Sequence, residues 1–475
     1  MSRVFAKTKI LATIGPAVDT KEKLEGLIDA GCNAFRLNFS HGNFEYFEKV
    51  FLSINDLCVS RSLPIPILID LQGPKIRIGE LEAPEINLVK GDKIEVTTDK
   101  VIGNASRIST SYSLLPSDAE VGDKILIDDG LIHLKVVSRQ KKSVMCQVIE
   151  GGKLKPKKGM NLPGMKLSAP SVTEKDLENL EFALKHRVDF VALSFVRTAQ
   201  DIMQLKKWIA ERGFDIPLIA KIEKPEAVSN FESILHAADG IMVARGDLGV
   251  ELKSYEVPII QKRIIKRCNE VGKLVITATQ MLESMVTNPV PTRAEASDVA
   301  NAVWDGTDVV MLSAETSVGK YPAQAVKLMN EIIINAERAY EFEKEINFAK
   351  PEYIDENLFD SMNKGICSIS KQINAKVIVA FTEKGNTPNS LSKFRPQALI
   401  VAVSNSFETM NKLSLKWGVI SLHCKDISDR HNAAKIVHRM LLEKEIVDKG
   451  DLVIFTEGGL KIKNARENWI RFEVV

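Results

Sequence analysis

The feature that most constrains the fold is a repeat of short apolar segments, each followed by a stretch with helical periodicity. The helical stretches include 20–30, 43–60 and 224–238, and the eight apolar segments span 9–15, 34–42, 66–71, 189–195, 217–223, 240–245, 274–279 and 308–314. Eight strand–helix repeats predict an α/β fold of the TIM-barrel type, a (β/α)8 barrel. A doubly wound parallel sheet is the alternative, but no glycine-rich dinucleotide fingerprint follows the first strand.

The stretch between the third and fourth apolar segments has a different residue pattern. From about 76 to 166, short runs alternate β-branched residues with turn signals such as Lys90-Gly-Asp92 and Asp128-Asp-Gly130. This pattern predicts a small all-β domain inserted into the barrel. Pro74 and Leu162-Pro-Gly164 flank the insert and are interpreted as hinges. Such an insert suits a lid that closes over a site and excludes water.

The last part of the chain begins a new series of strands and helices, with apolar strands predicted at 377–382, 398–403, 418–422 and 452–456. A chain of 475 residues exceeds one compact core, which favours two or three domains. We predict a catalytic barrel formed by 1–74 and 168–345, an inserted β lid formed by 75–167, and a C-terminal α/β domain formed by 346–475.

Composition excludes several classes of protein. The formal net charge is +2, and no block of Lys and Arg suggests nucleic-acid binding. No apolar run approaches the roughly 18 residues that a membrane span requires. The six cysteines are scattered without a Cys-x-x-Cys pair, which suits a reducing compartment, and the N-terminus has no apolar signal segment. We expect a soluble, cytoplasmic protein that binds neither nucleic acid nor membranes.

Charged residues lie where the fifth and sixth predicted strands end. Lys221 and Glu223 close one strand, and Gly246 and Asp247 follow the other. Chemistry in a barrel sits at the carboxyl ends of its strands, so the two carboxylates can share one divalent cation. A lysine two residues before the first carboxylate points to the same face. Lys, Glu and Asp around a metal suit a phosphate-bearing substrate, although an ordinary ion pair at a strand end is the alternative.

The second predicted strand also carries a polar face. Arg36, Asn38 and Ser40 alternate with apolar residues and share one side of the strand. A polar strand face inside an α/β protein indicates a site, whereas a solvated edge strand is the alternative.

Seven ordered motifs make the chain resemble pyruvate kinase over essentially its whole length. They are Thr13-Ile-Gly-Pro16, Arg36-Leu-Asn-Phe-Ser-His-Gly42, Lys157-Lys-Gly-Met-Asn-Leu-Pro-Gly164, Lys221-Ile-Glu223, Ala244-Arg-Gly-Asp-Leu-Gly249, Thr277-Ala-Thr-Gln-Met-Leu-Glu-Ser-Met285 and Pro291-Thr-Arg-Ala-Glu-Ala-Ser-Asp-Val-Ala-Asn-Ala-Val303. The resemblance implies transfer of phosphate from phosphoenolpyruvate to ADP, giving pyruvate and ATP as the final step of glycolysis. It also implies a homotetramer with a regulatory C-terminal domain.

The resemblance assigns roles at the predicted barrel mouth. Glu223 and Asp247 match the ligands of Mg2+ (or Mn2+), hard oxygens for a hard cation. Lys221 and Arg36 match the cations on the transferring phosphoryl group. The backbone N–H groups of Gly246 and Asp247 would bind the substrate carboxylate. Thr279 matches a substrate-binding threonine on the face where the enolate is protonated.

A second group of residues matches the nucleotide side of the family's site. These residues are Asn38, His41, Arg77 and Lys158. Lys158 would come from the lid, so nucleotide binding and lid closure would be coupled.

The chain departs from many family members at Lys75, where those members carry glutamate. They require K+, and their cation site resembles Asn38, Ser40, Asp70 and the backbone carbonyl of Leu71. A lysine ammonium carries the charge of K+ and could reach the same pocket, where it would repel a bound ion. We therefore expect activity without K+; the alternative is that Lys75 points to solvent.

A loop in the C-terminal domain aligns with the family's effector-phosphate loop. The candidate binding residues are Thr382, Lys384, Gly385, Asn386 and Thr387. Glu383 stands where members that respond to fructose bisphosphate often carry lysine, and the segment 456–463 lacks their arginine-bearing loop. A phosphorylated effector is expected, and these departures favour a sugar monophosphate or AMP over the bisphosphate.

Two other functions are consistent with parts of this pattern. A Mg2+-dependent lyase or aldolase acting on pyruvate enolate would use similar carboxylates but would leave the lid and Lys158 unexplained. A catalytically silent metabolite sensor would not need Lys221, Glu223 and Asp247 together. Metal-dependent ATP formation separates the three functions.

Overall fold

The computed structural model describes residues 4–40, 42–339, 354–425, 430–458 and 469–475. The chain opens with alternating strands and helices, in the order β1 (Lys9–Ile14), α1 (Lys21–Asp29), β2 (Ala34–Asn38), α2 (Phe44–Arg61) and β3 (Ile67–Leu71). Both helices begin at a capping side chain: Thr20 accepts a hydrogen bond from the Lys23 amide, and Asn43 accepts one from the Tyr46 amide. These caps fix where each helix leaves the preceding loop.

A β domain is inserted between β3 and the next barrel helix. Its elements are β4 (Ile86–Leu88), β5 (Lys93–Thr97), β6 (Arg107–Ser109), α3 (Leu115–Asp118), β7 (Lys124–Ile127), β8 (Ile132–Arg139), β9 (Ser143–Glu150), β10 (Gly152–Leu154) and β11 (Met160–Asn161). Six strands form one sheet in the order β11-β7-β8-β9-β5-β6 over a separate apolar core. The insert is built of β strands as expected, with one short helix, α3, that has Pro116 in its first turn, a favoured helix start.

The second part of the barrel continues the alternation. Its elements are α4 (Glu174–Leu184), β12 (Phe190–Leu193), α5 (Ala199–Ala210), β13 (Leu218–Ile222), α6 (Pro225–Ser229), α7 (Phe231–Ala237), β14 (Gly240–Ala244), α8 (Arg245–Glu251), α9 (Val257–Val271), β15 (Leu274–Ala278), a 3-10 helix (Glu283–Val286), α10 (Arg293–Asp305), β16 (Val309–Leu312), α11 (Ala314–Ser317) and α12 (Pro322–Ala339).

A single helix is predicted over 224–238, but the structure has two helices because the helix is interrupted at Asn230. This residue leaves the helical region at φ −94° and ψ 14°, and its side-chain amide donates to the Arg197 carbonyl at 2.9 Å. The Asn230 side chain thus bonds to a carbonyl outside both helices at the point where α6 ends and α7 begins.

Eight parallel strands close into a barrel in the order β1-β16-β15-β14-β13-β12-β3-β2. Leu11, Leu68, Ile219, Met242 and Ile276 fill its interior, and a larger apolar core lies between the strands and the surrounding helices. Because all eight strands run in the same direction, their carboxyl ends meet at one mouth. The predicted (β/α)8 fold is confirmed.

The C-terminal domain is a separate α/β unit. Its elements are α13 (Ile354–Gln372), β17 (Val377–Phe381), α14 (Asn386–Lys393), β18 (Leu399–Ser404), α15 (Phe407–Leu413), β19 (Val419–His423), α16 (Arg430–Glu443), β20 (Leu452–Glu457) and β21 (Trp469–Val474). The sheet order is β19-β18-β17-β20-β21, and β21 pairs antiparallel with β20. The four predicted strands are present, and β21 is a fifth that the sequence reading omits.

The C-terminal domain packs against the amino ends of the barrel strands, away from the mouth. Asn411 donates from Nδ2 to Asp189 Oδ1 at 2.9 Å, just before β12. Arg395 forms an ion pair with Asp308, just before β16, at 2.7 Å. Among the described helices, none is long and apolar enough to cross a membrane.

Candidate active site

Lys221 is the centre of a buried polar cluster at the barrel mouth. Its Nζ lies 2.7 Å from Ser194 Oγ, 2.9 Å from Glu223 Oε1 and 3.1 Å from Asp70 Oδ1. Only 8 % of Lys221 is exposed to solvent. An ammonium group has three N–H donors, so these three partners hold it in one position.

Three neighbouring strands deliver these groups. Asp70 lies on β3, Ser194 follows β12, and Lys221 lies on β13. The parallel register pairs Asp70 with Ala192 and Leu193 with Ala220, which sets the three polar groups at nearly one level. Lys221 and Glu223 are two residues apart and therefore point to the same side, as predicted from the sequence.

Arg36 extends the cluster on the other side of Asp70. Its Nε donates to Asp70 Oδ2 at 2.8 Å, and its Nη1 donates to Thr13 Oγ1 at 2.9 Å. Arg36 is 9 % exposed and Asp70 only 2 %. One buried carboxylate thus orients two cations toward the mouth.

Burial and charge oppose each other in this cluster. Burial tends to raise the pKa of Asp70, but the positive charges of Lys221 and Arg36 outweigh it and the pKa lies below its usual value. Burial tends to lower the pKa of Lys221, but Asp70 and Glu223 outweigh it and the pKa is raised. The lysine therefore remains a cation and the aspartate an anion throughout the physiological range.

Glu223 and Asp247 are the candidate metal ligands. Glu223 is 2 % exposed and accepts a hydrogen bond from the Phe195 amide at Oε2 at 2.9 Å. Its pKa is raised by burial, is lowered by Lys221, and is raised again by the charge of Asp247, with a net upward shift. Asp247 lies in the first turn of α8 and is exposed. Two repelling carboxylates, one of them open to solvent, are an oxygen donor set that suits a hard divalent cation.

No cluster of three or more His, Cys, Asp or Glu suited to a metal ion occurs in the described ranges. The lack of such a cluster in the described ranges does not argue against Mg2+ held by Glu223 and Asp247. Magnesium commonly uses one or two carboxylates and completes its shell with water and substrate phosphates.

Thr279 and Gly246 contact each other at the mouth. The Gly246 amide donates to Thr279 Oγ1 at 2.8 Å, and that hydroxyl donates to the Ala278 carbonyl at 2.7 Å. Thr279 has φ +67°, an unfavourable region for a β-branched residue. Arg245, which the role assignments from sequence omit, helps to hold this loop by donating from Nη2 to the Thr279 carbonyl at 2.7 Å. Strained backbone of this kind gathers at functional sites.

The predicted nucleotide residues fall on two domains. Asn38, on β2, accepts the Ser40 amide at Oδ1 at 3.1 Å. Arg77 and Lys158 lie side by side in the inserted domain, where Ile78 donates its amide to the Lys158 carbonyl at 2.9 Å. Lys158 is paired with Asp128 at 2.8 Å. His41, predicted with them, lies outside the described residues.

The inserted domain contacts the barrel mouth through a polar link that sequence reasoning does not identify. Asn161 donates from Nδ2 to Glu251 Oε1 at 3.1 Å, and Glu251 forms a buried ion pair with Lys224 at 2.7 Å. Lys224 directly follows the candidate metal ligand Glu223. In the sequence, the signal for this link is Lys224, a charged residue directly after the Lys221-Ile-Glu223 motif.

Lys75 lies in the cleft between the inserted domain and the barrel. Its side chain is exposed, and its ammonium forms no hydrogen bond or ion pair with any residue that the structure describes. Partial burial in the cleft lowers the pKa of Lys75, Arg77 lowers it further, and Asp247 opposes both. Asp70, a predicted member of the cation pocket, is instead bonded to Arg36 and Lys221. Asn38 on β2 pairs with Asp70 on β3 in the parallel register, Leu71 follows Asp70, and Ser40 lies just after β2.

The predicted effector loop forms the turn into α14. Gly385, at φ +86°, donates its amide to Thr382 Oγ1 at 2.8 Å. The buried Thr387 hydroxyl donates to the Gly458 carbonyl at 3.1 Å. Lys384 and Asn386 are exposed. The Thr382 hydroxyl is thus engaged within the loop, the Thr387 hydroxyl is engaged by the residue after β20, and the lysine and asparagine face solvent.

The fold and the cluster at its mouth define an enzyme of the barrel class, with charged catalytic groups at the carboxyl ends of parallel strands. A family model described as "Pyruvate kinase, barrel domain" matches residues 5–326, and one described as "Pyruvate kinase, alpha/beta domain" matches residues 360–471. The chain belongs to the pyruvate kinase family. It is therefore a transferase of glycolysis.

Individual relatives agree with this assignment. The chain is 43 % identical over 455 residues to a pyruvate kinase of Geobacillus stearothermophilus, covering 95 % of this chain and 77 % of the relative. It is 41 % identical over 471 residues to one of Staphylococcus aureus strain MRSA252, covering 99 % and 80 %. The crystal structure of a pyruvate kinase from Cryptosporidium parvum superposes with a TM-score of 0.92 at 37 % identity, covering 99 % of this chain and 96 % of that one.

Proposed function

We propose that this enzyme transfers the phosphoryl group of phosphoenolpyruvate to ADP through the residues gathered around Lys221. The observation that carries the proposal is the fixed position of the Lys221 ammonium between Asp70, Ser194 and Glu223 at the barrel mouth. Phosphoryl transfer needs positioned charge more than it needs covalent chemistry. A buried, oriented cation next to two carboxylates supplies that charge.

Lys221 and Arg36 would bind the transferring phosphoryl group. Both side chains already point to one place because Asp70 contacts each of them. A phosphate entering between them would take over N–H donors that now face Asp70 and Ser194. Positive charge fixed in advance stabilises the transition state without reorganisation at the moment of reaction. Asp70 acts through these two cations and is a positioning residue.

Glu223 and Asp247 would hold Mg2+ or Mn2+. The fit rests on the donor set: two carboxylate oxygens, a buried Glu223 whose raised pKa reflects burial and the nearby charge of Asp247, and an Asp247 open to water and substrate. When bound, the cation would neutralise charge on the phosphate oxygens.

Gly246 and Thr279 would bind and process the rest of the substrate. The Gly246 amide, which now donates to Thr279 Oγ1, could turn to the substrate carboxylate together with the Asp247 amide. After the phosphoryl group leaves, the enolate carbon of pyruvate takes a proton. Thr279 would hold the water that delivers this proton. Its strained backbone keeps the hydroxyl beside Gly246.

Asn38, His41, Arg77 and Lys158 would bind the nucleotide. The support is that Arg77 and Lys158 are adjacent in the inserted domain, which contacts the mouth through Asn161 and Glu251. Lys158 would exchange its carboxylate partner Asp128 for a nucleotide phosphate. The inserted domain would thus act as a lid that closes when nucleotide binds.

Lys75 would replace the potassium ion that many relatives require. The support is an exposed cation in the cleft, close enough to Asp247 and Lys221 for their charges to influence its pKa. On its four-carbon stem it could turn toward Asn38, Ser40 and Asp70. The enzyme would then work without K+.

The loop of Thr382, Lys384, Gly385, Asn386 and Thr387 would bind the phosphate of a sugar monophosphate or of AMP. Its support is a left-handed Gly385 at a helix start, with Lys384 free to approach from solvent. We further propose a homotetramer and the domain limits 1–74 with 168–345, 75–167, and 346–475.

The test of the proposed reaction is pyruvate and ATP formation from phosphoenolpyruvate, ADP and Mg2+ in buffer free of K+ and NH4+. Fast, equimolar formation of both products supports the reaction and the role of Lys75. Activity that appears only with added K+ keeps the kinase and removes the lysine-for-potassium proposal. Silence under both conditions, with sugar monophosphates and AMP present, would overturn the proposed reaction in favour of a lyase or a sensor.

A further inference from the structure

A buried arginine of the C-terminal domain enters the amino end of the barrel. Arg395 follows α14 at φ +52° and is 6 % exposed. Its Nη2 lies 2.7 Å from Asp308 Oδ1, 2.8 Å from Asn269 Oδ1 and 3.0 Å from the Gly306 carbonyl. One nitrogen of the guanidinium therefore makes all of its contacts with the barrel.

The other two nitrogen atoms of the Arg395 guanidinium lack hydrogen-bond partners in the described part of the chain. Its Nε and Nη1 are buried and have no hydrogen-bond partner among the described residues. A guanidinium has five N–H donors in a fixed fork and no acceptor. Buried donors in native proteins are nearly always satisfied, so these point to a species that accepts from them.

A small cavity that Arg395 helps to line lies between the two domains. Its volume is about 10 Å³, which is room for one water-sized occupant. Its wall is formed by Asn269, Gly272, Lys273, Asp308, Asn389, Ser392, Lys393, Arg395 and Lys416. We call it the interdomain cavity.

The wall of the interdomain cavity carries an excess of positive charge. Four of its side chains are cations and one, Asp308, is an anion that already accepts Arg395 and the Val275 amide. Lys393 is paired with Asp360 at 2.7 Å, outside the wall. The Lys416 ammonium has no hydrogen bond or ion pair with the residues that the structure describes. Arg395 and Lys416 together are left with more charge than Asp308 neutralises.

The donors favour an anion over water as the occupant. A buried water needs acceptors as well as donors around it, whereas Arg395 and Lys416 offer N–H groups only. Of the acceptors in the wall, Asp308 and Asn269 already accept from Arg395. Asn389 Oδ1 is buried without a partner among the described residues and would favour water. A half-turn of that amide presents its NH2 group instead, which an anion accepts from. The volume limits the anion to a single atom.

We propose that the interdomain cavity binds one halide-sized monovalent anion, chloride in ordinary buffers, between Arg395 and Lys416. Both cations belong to the C-terminal domain, and the anion favours its packing on the barrel because it offsets the repulsion between them when the barrel covers them. Burial lowers the pKa of Lys416, Asp308 opposes this shift, and Arg395 reinforces it. The charged form of Lys416 is therefore disfavoured in an empty cavity, and a bound anion would stabilise it.

Crystals of the full chain soaked in sodium bromide provide the direct test. Bromide replaces chloride and scatters anomalously. The proposal predicts an anomalous peak in the interdomain cavity within hydrogen-bonding distance of Arg395 Nε or Nη1. A cavity that holds only water, with no anomalous peak while bromide is found elsewhere on the molecule, would overturn it.

Thermal unfolding of the full chain tests the same site in solution. We expect the midpoint to rise by roughly 1–3 °C when gluconate is replaced by chloride or bromide at equal ionic strength. Lys416→Met should abolish this difference, and Lys435→Met, which removes an exposed lysine of α16, should keep it. A chloride effect that is the same in Lys416→Met as in the unmodified chain would contradict the proposal.

Discussion

Lys221 Nζ lies 3.1 Å from Asp70 Oδ1, although 151 residues separate the two in the chain. In the barrel, β12 lies between the strand of Lys221 and the strand of Asp70, and Ser194 at the end of β12 accepts a hydrogen bond from Lys221. Asp70 also contacts Arg36, so one buried carboxylate sets the direction of both cations that would meet the phosphate. The proposed active site therefore has both cations oriented before substrate arrives.

Replacing Lys221 with methionine should slow phosphoryl transfer far more than it weakens substrate binding. Methionine keeps the length and apolar stem of lysine but loses the charge that stabilises the transferring phosphoryl group. We expect kcat to fall by about 10³-fold or more, with a much smaller change in KM for phosphoenolpyruvate. Steady-state kinetics with varied substrate measures both constants.

Lys207→Met is the matched control for that substitution. Lys207 is an exposed lysine of α5, 3.9 Å from Glu211, and its loss should leave kcat unchanged. A Lys221→Met enzyme that retains kcat, or in which KM rises while kcat is unchanged, would remove Lys221 from the phosphoryl-transfer step.

Asp70→Asn should destabilise the protein by about 3–5 kcal/mol, because it leaves the buried charges of Arg36 and Lys221 short of a counter-charge. Urea unfolding measures the change in the free energy of unfolding. Asp56→Asn, which breaks an exposed pair with Lys21, should have a much smaller effect, because solvent screens exposed ion pairs. Equal, small losses in the two variants would show that Asp70 does not hold the cluster together.

The fold could be predicted from sequence because the barrel strands are buried on both faces. Strands such as Ile67–Leu71 and Leu218–Ile222 are nearly unbroken apolar runs, and helices separate them at regular intervals. β21 does not share this property. It is an edge strand in which Ile470, Phe472 and Val474 are exposed, so no buried run marks it.

The site was predictable only as far as local spacing reaches. Lys221 and Glu223 share a strand, and their two-residue spacing places them on one face. The bonds from Asp70 to Lys221 and Arg36 depend on the order in which strands close the barrel, which spacing along the chain does not reveal. Ser194 was omitted for the same reason, although its place at a strand end is a signal that could have found it.

Lys75→Glu should make the enzyme dependent on K+. The substitution removes the proposed internal cation and restores the glutamate found in many relatives that need the ion. We expect the unmodified enzyme to show a rate ratio near one with and without K+, and the variant to gain tenfold or more when K+ is added. Initial rates in K+ and in tetramethylammonium buffers give this ratio.

Lys157→Glu supplies the control for Lys75→Glu. It makes the same charge change at an exposed lysine of the inserted domain that pairs with Glu80 at 2.7 Å. This variant should remain indifferent to K+. If Lys75→Glu is equally indifferent, Lys75 does not replace the ion.

Stability should rise at alkaline pH through Lys9, a residue that is 3 % exposed at the start of β1. Burial lowers its pKa from 10.5 to about 8, with Glu337 opposing the shift. Between these values the unfolded chain binds more protons than the folded chain, so the free energy of unfolding increases with pH. The full effect, on the order of 3 kcal/mol, is present above the unfolded pKa and is lost as pH falls through about 8.

Urea unfolding at several pH values from 7.5 to 10.5 measures this dependence. Lys9→Met removes the titrating amine, so its free energy of unfolding should rise less with pH than that of the unmodified chain. Other groups titrate equally in both proteins and cancel in the difference. Identical pH slopes would show that Lys9 is not held with a lowered pKa.

The most direct test of the metal-assisted site is pyruvate formation titrated with Mg2+, using the unmodified enzyme, Glu223→Gln and the exposed control Glu211→Gln side by side. We predict that the unmodified enzyme and the control saturate with Mg2+ and stop when EDTA is added. Glu223→Gln should stay at least about 100-fold slower at every Mg2+ concentration while unfolding cooperatively. A near-normal rate with the same Mg2+ dependence in Glu223→Gln would contradict the assignment of Glu223 as a ligand of the metal on which phosphoryl transfer depends.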